Sequence, residues 1–291
     1  MNRNIDYQKV KEFWDESAKS SIYEDDIQSG MLYANKLAAQ YRKRKEEEHF
    51  DRIIKLSENM HVLEIGCGTG RWSFYVAPNV KRVVAIDLSE NMIEIAKNKQ
   101  ISENINNIEF HCVSACDFHT NEKFDLVYFS SMLQYVSDGD VSSILKKLPK
   151  WLKNNGICLS RDTVSLKQRI EKTGDYLVIY RTRDDYIKMF EKHNLYLTYN
   201  GQSYKRSISY VASRCFLNRY FPNSSLRTLI ILDKLISPPG PFLRYIYKKV
   251  RKTSVKLPNQ RSSDIDIKDH VLLLCYFGIV TLVGTKQCQK I

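Results

Sequence analysis

The stretch from Val62 to Trp72, Val-Leu-Glu-Ile-Gly-Cys-Gly-Thr-Gly-Arg-Trp, constrains this chain more than any other. It reads as a buried strand entering a glycine-rich turn that opens a helix. Gly66, Gly68 and Gly70 alternate, so the backbone turns tightly and approaches a ligand where a side chain would collide. That turn stands at the carboxyl end of a strand, where open α/β sheets keep their sites, and it implies a nucleotide-like cofactor. The spacing is G-x-G-x-G and no lysine follows, which disfavours a pyrophosphate-bearing ligand. A second apolar strand, Arg82–Asp87, ends in a carboxylate about 20 residues on, where an acid accepts hydrogen bonds from a ribose diol.

Strand and helix signals alternate over 61–65, 70–78, 82–86, 90–100, 108–113, 124–129, 140–152 and 156–162. This predicts a parallel sheet with helices on both faces. Four motifs then recur in order: Leu63–Gly70, Ala85–Met92, Ser114–Phe118 and Phe124–Ser130. On these residues the chain resembles the class I S-adenosylmethionine-dependent methyltransferases over about positions 58–200. The resemblance implies a Rossmann-like seven-stranded α/β sheet whose last strand is antiparallel and inserted between strands five and six. With strand six near Leu195–Tyr199, the apolar run Val271–Gly284 supplies that last strand; it is too short to span a membrane. The implied domains are an N-terminal helical cap (1–57), a core (58–204), a basic helical insertion or lid (205–265) and the terminal strand (266–291).

The resemblance further implies S-adenosyl-L-methionine as cofactor, held by Glu64, Gly66, Cys67, Gly68, Gly70, Asp87, Leu88, Met92, Ala115, Cys116 and Ser130. Glu64 is either a buried partner for backbone amides or a ligand contact through water, and the resemblance favours the second. Cys67 has no visible base partner and reads as packing rather than as a nucleophile. On the adenine side the resemblance leaves two alternatives, Asp117 as the acid that meets the adenine amine or Cys116 leaving that amine to water. The reaction implied is an in-line displacement in which the enzyme mainly supplies alignment. An alcohol nucleophile needs a general base, whereas a neutral amine manages with desolvation and orientation. The acceptor enters over the fourth and fifth strands, beside Ser130, Ser131, Gln134, Tyr135 and Arg161. Asp162 is the candidate base, with a helix cap or a salt bridge to Arg161 as its alternative; Tyr135 is the second catalytic candidate. Tyr180 and Arg181 join Gln134 and Arg161 as candidate substrate contacts. None of the six histidines lies in the turns directly after strand four or five, so no histidine base is assigned.

Outside the core, residues 1–57 read as helical and aromatic-rich, with Tyr41 or Arg42 within reach of the cofactor and Arg42–Glu48 as a solvated helix face. The N-terminus lacks an apolar export segment, and seven cysteines without C-x-x-C spacing read as reduced thiols with no metal site. Both point to a cytoplasmic enzyme. Between Gly201 and Ser262 thirteen basic residues face one acid, which equals the chain's net charge of +12. Such a field implies an anionic partner. Residues 242–252 read as a basic amphipathic helix suited to an anionic membrane interface, with a solvated lid as the alternative. The expected acceptors, in order, are a small molecule or glycan precursor, which includes lipid-linked forms, then a lipid or quinone, then RNA. A non-catalytic cofactor-binding module is the reading from another class.

Overall fold

The computed structural model describes residues 5–20, 36–165, 167–204 and 277–286, with side chains described over 5–19, 43–165 and 167–195. Two N-terminal helices, α1 (Tyr7–Ser20) and α2 (Lys36–Ile53), precede an alternating core. The core runs β1 (His61–Ile65), α3 (Arg71–Val76), β2 (Arg82–Asp87), α4 (Glu90–Ser102), β3 (Ile108–Cys112), β4 (Phe124–Ser130), α5 (Asp138–Trp151) and β5 (Leu152–Ser165). These five strands are parallel in the order β3-β2-β1-β4-β5. A hairpin follows, β6 (Ile170–Thr173) and β7 (Leu177–Tyr180), then α6 (Arg183–Glu191), β8 (Leu195–Tyr204) and β9 (Phe277–Lys286). The backbone of β9 pairs antiparallel with β5 on one side and with β8 on the other. The basic insertion, with its amphipathic stretch 242–252, lies outside the described residues. Among the described residues no helix is long and apolar enough to cross a membrane.

Period-two alternation makes the sheet a double-faced core. Leu63, Ile65, Val84, Ile86, Val127 and Phe129 face one layer, where α5 contributes Val141, Ile144, Leu145 and Leu148 at helical spacing. Their neighbours Val62, Val83, Ala85, Leu126 and Tyr128 face the other, against Phe50 of α2, Trp72 of α3 and Ile93 of α4. Side-chain caps set where helices begin at the carboxyl edge. Ser89 Oγ accepts from Met92 N at 3.2 Å, Ser137 Oγ from Asp140 N at 3.2 Å, and Thr182 pairs with Asp185 in a capping box.

The hairpin β6–β7 is an element the sequence did not announce, because its strands carry charged and apolar residues without a clean alternation. It is held by α1 and the residues just before it, with Val10 and Ile5 buried against Leu177 and Ile179. The solvated-face reading of Arg42–Glu48 is also corrected in part. Arg44 and Lys45 do pair with Glu48 on the exposed side, at 3.0 and 2.9 Å. Glu46, however, is 1% exposed. Its two oxygens lie 2.7 Å from Arg71 Nη1 and 2.7 Å from Arg161 Nη1, the second an ion pair by distance without an aligned N–H. One carboxylate thereby ties α2 to the start of α3 and to the end of β5. Removing it strands two guanidinium groups in a desolvated layer, so Glu46→Ala should cost about 3–5 kcal/mol. Denaturant unfolding checks this; a loss below about 1 kcal/mol would mean that the pair does not hold α2 in place.

Candidate functional site

The glycine turn after β1 is built by its neighbours. Gly66 N and Cys67 N both donate to Ile86 O of β2, at 2.8 and 3.0 Å, which anchors the turn across the first strand pair. All three glycines take left-handed φ angles, +76° at Gly66, +55° at Gly68 and +81° at Gly70. At Gly66 a Cβ would stand 2.6 Å from Met132 Cβ, so the loop after β4 also excludes a side chain there. At Gly68 a Cβ would meet nothing within 4 Å. The middle of the turn therefore opens onto a space that another group can fill.

Asp87, at the tip of β2, borders that space. Its Oδ2 accepts from Gly68 N at 2.8 Å and its Oδ1 from Ser89 N at 2.9 Å, so it joins the glycine turn to the start of α4. Desolvation is the largest influence on its pKa and raises it, against the amide hydrogen bonds. Each oxygen keeps a second lone pair for a ligand donor. Leu88 and Met92 flank it; Met92 is buried against Ala18 of α1. On the β3 side, Lys147 donates to the carbonyls of Cys116 and Phe118, the latter at 3.2 Å, and so holds the Ser114–Phe118 turn. Asp117 accepts from Ser114 Oγ at 2.6 Å inside that turn. Cys67 is buried, and desolvation pushes its thiol well up, which removes nucleophilic character.

The loop after β4 is braced from three directions. Ser131 adopts φ +57°, a strained angle for a non-glycine residue, and its N–H donates to Arg161 O at 2.7 Å. Asp162, 2% exposed, spends Oδ1 on Leu133 N at 3.0 Å and Oδ2 on Ser160 Oγ at 2.7 Å. Arg181 is fully buried and donates to Leu133 O and Val136 O at 2.7 and 2.6 Å and to Asp138 at 2.7 Å. Arg161 is committed similarly, to Glu46, to Ser130 Oγ at 3.0 Å and to Tyr128 at 3.3 Å. The structure thus brings Ser130, Ser131, Gln134, Tyr135, Arg161 and Asp162 to one edge. It gives the charged members of that group, and Arg181, protein partners.

Helix α1 crosses this edge. Tyr7 donates to Asp140 and accepts from Ser137 N at 3.1 Å, at the start of α5. Two turns later, Asp15 Oδ1 accepts from Ser89 Oγ at 2.5 Å and from Asn91 N at 3.3 Å, at the start of α4. Between these anchors Phe13, Trp14, Tyr135 and Tyr176 form a closed cycle of ring contacts with centroids 4.6–5.6 Å apart. Sequence reasoning missed Tyr7, Asp15 and Tyr176. A helix-spaced aromatic or acid in a polar segment carries no local mark of the loop it will meet. The side chains of Tyr41 and Arg42 lie outside the described ones.

Glu64, at the carboxyl end of β1, is 2% exposed and accepts from Ser73 Oγ at 2.5 Å. Desolvation dominates and pushes its pKa up to about 8. A folded-state pKa above the unfolded one means the native state binds the proton more tightly, so stability falls as pH rises between the two values. His49 is held down at about 4, chiefly by desolvation, and contributes with the opposite sign, below pH 6.5. Above pH 6.5 the Glu64 slope, at most about 1.4 kcal/mol per pH unit, stands alone between these two. Glu64→Gln should therefore flatten the fall in stability from pH 6.5 to 8.5. Parallel denaturant curves check this, and an unchanged slope would exclude Glu64 as its source.

The profile of a methyltransferase domain matches residues 62–156, from β1 into β5. The chain is 29% identical over 161 residues to phosphoethanolamine N-methyltransferase 3 of Arabidopsis thaliana, spanning 54% of this chain and 32% of that protein. It is 32% identical over 106 residues to malonyl-[acyl-carrier protein] O-methyltransferase of Acetivibrio thermocellus, spanning 34% of each. It covers about a third of the length of the phosphoethanolamine methyltransferases it matches. Among solved structures, phosphoethanolamine N-methyltransferase 1 of Haemonchus contortus, in complex with phosphoethanolamine and S-adenosylhomocysteine, superposes with a TM-score of 0.57. That match has 18% identity over 92% of this chain and 66% of that one. The [4+2]-cyclase SpnF reaches 0.56 at 16% identity, over 96% and 93%. These structural likenesses are of fold. The domain match and the sequence relatives identify residues 62–156, with the glycine turn and the carboxylate at the tip of β2, as a methyltransferase domain of the class I S-adenosylmethionine-dependent type.

Proposed function

We propose that this protein transfers a methyl group from S-adenosyl-L-methionine to a small acceptor that enters over the carboxyl ends of β4 and β5. The observation that carries the reading is the open cradle at Gly68, bordered by the Asp87 carboxylate. Gly66 to Gly70 present backbone to the cofactor, Asp87 accepts from its ribose diol, and Leu88, Met92, Ala115 and Cys116 line its adenine side. Glu64, Cys67 and Ser130 complete this proposed shell. The cofactor supplies an electrophilic methyl carbon on a sulfonium. The acceptor's lone pair bonds to that carbon, the carbon–sulfur pair stays on sulfur, and the proton of the nucleophile leaves to water. The chain's own contribution is alignment, which accounts for several kcal/mol of barrier.

Tyr135, Gln134, Ser131 and Tyr180 are the proposed acceptor contacts. Arg161, Arg181 and Asp162 act through the end of β4 and its loop as positioning residues, since each makes a hydrogen bond to that segment. The division into cap, core, basic insertion and terminal strand belongs to the same reading, with α1 and α2 as the described helices of the cap. The insertion's charge suits an acceptor with an anionic portion. Relatives that act on phosphoethanolamine or on malonyl-[acyl-carrier protein] support a small-molecule or carrier-bound acceptor over a nucleic acid.

Two variants test the cofactor assignment by calorimetric titration with S-adenosylmethionine. Asp87→Ala should lose about 1.5–3 kcal/mol per charge-assisted bond, roughly tenfold to a hundredfold in affinity. Asp87→Asn separates this from the backbone bonds that Asp87 makes, since the amide oxygen keeps one neutral acceptor. Gly68→Ala meets no protein atom but bears about 1–2 kcal/mol of left-handed strain, so it should fold and still lose affinity. Wild-type affinity in both folded variants would refute the placement of the cofactor.

A further inference from the structure

Lys147 stands on α5 and spends two of its three ammonium N–H bonds on one short turn, donating to Cys116 O and to Phe118 O, the latter at 3.2 Å. These two carbonyls frame Asp117, one on either side of it. Trp151, a turn farther along α5, seats both groups: Lys147 Nζ lies 5.7 Å from its ring centroid, and Phe118 meets that ring edge to face at 5.6 Å. Asp117 itself is tied to Ser114, whose Oγ accepts from Asp117 N at 3.1 Å and donates to Asp117 Oδ2 at 2.6 Å. Its Oδ1 takes no donor among the described residues. The turn is thus held from two sides with one carboxylate oxygen left over.

The sheet order decides what faces that oxygen. In the order β3-β2-β1-β4-β5, the glycine turn follows β1 and Asp87 ends β2. With the acceptor over β4 and β5, the sulfonium points that way, so the base, on the opposite side of the ribose, lies over β3. The Ser114–Phe118 turn rises there. Cys112, the last residue of β3, is in register with Asp87, and Val113 N donates to Asp87 O at 2.9 Å. A carboxylate oxygen only accepts, so at the edge of a purine it selects an exocyclic amine and repels an exocyclic oxygen. Asp117 is exposed, and an exposed carboxylate discriminates only when its backbone is locked.

We propose that Lys147 is a positioning residue for base recognition: by fixing the carbonyls on both sides of Asp117, it holds Oδ1 where it accepts from the exocyclic amine of the cofactor's adenine. The proposal rests on the methyltransferase reading and gives α5 a part in cofactor specificity. Lys147 touches no ligand atom, so its contribution passes through Asp117.

The test is calorimetric titration of the full chain with S-adenosylhomocysteine and with S-inosylhomocysteine, in which an oxygen replaces the exocyclic amine. The ratio of the two affinities cancels any loss that a variant imposes on both ligands alike. The wild type should prefer the adenosyl ligand at least tenfold. Lys147→Met, which keeps the alkyl stem and removes the donors, should cut that ratio at least fivefold. Lys147→Arg, which can still donate to both carbonyls, should keep it within twofold. Asp117→Ala should cut the ratio as far as Lys147→Met does, and combining the two should cost no more than a further twofold. Where Lys147→Met fails to fold, Lys147→Gln takes its place, with a loss of at least threefold expected. An unchanged ratio in the Lys147 variant, or losses that multiply in the double variant, overturns the proposal. Binding of S-adenosylhomocysteine by the wild type without preference overturns the roles of Lys147 and Asp117 alone. Failure to bind S-adenosylhomocysteine overturns the methyltransferase reading as well.

Discussion

Four carboxylates near the carboxyl edge of the sheet decide how its loops are held, and the cost of desolvating them is the constraint on which the site depends. Glu64 takes the Ser73 hydroxyl, Asp87 takes the amides of Gly68 and Ser89, Asp162 takes the amide of Leu133, and Glu46 takes Arg71 and Arg161. An isolated buried carboxylate is intolerable, so each draws donors to itself or, as Glu64 does with its raised pKa, holds its proton. The donors here belong to loops, and the loops are thereby set.

The same economy explains what is left over. Arg161 and Arg181 read from the sequence as residues for an acceptor, and in the structure both guanidinium groups donate to protein oxygens. In the proposed reading they act through the loop they support. What remains unspent at this edge is specific: the backbone around Gly68, the second lone pairs of Asp87, and the carbonyl of Gln134. A site of this kind recognises by geometry and by single hydrogen bonds, which suits a reaction in which alignment is the main contribution.

Helix α1 links the two halves of the edge. About 12 Å of helix separates Tyr7 from Asp15, at 1.5 Å per residue, enough to reach from the start of α5 to the start of α4. Tyr7 and Asp15 are thus spaced by the helix itself, and Trp14 falls between them onto Tyr135. The hairpin β6–β7 then closes the aromatic group from the far side through Tyr176.

The parallel core was legible in the chain because its determinants are local. The glycine turn after Ile65, the acid ending Arg82–Asp87 and the period-two runs of β1, β2 and β4 each declare themselves within a few residues. The start of α4 was equally plain, since Ser89 caps three positions ahead of Met92. Burial of a charge declares nothing locally. Glu46 sits in a run of seven charged residues that reads as solvated, and its partners stand 25 positions away at Arg71 and farther still at Arg161. Arg181 reaches back 48 positions to Leu133. Sequence periodicity says which face of an element is apolar, not which distant polar atom will meet it. Only the packed sheet, by bringing strand ends and helix starts to one edge, decided which charges are spent on the fold and which acceptor atoms are left for a ligand.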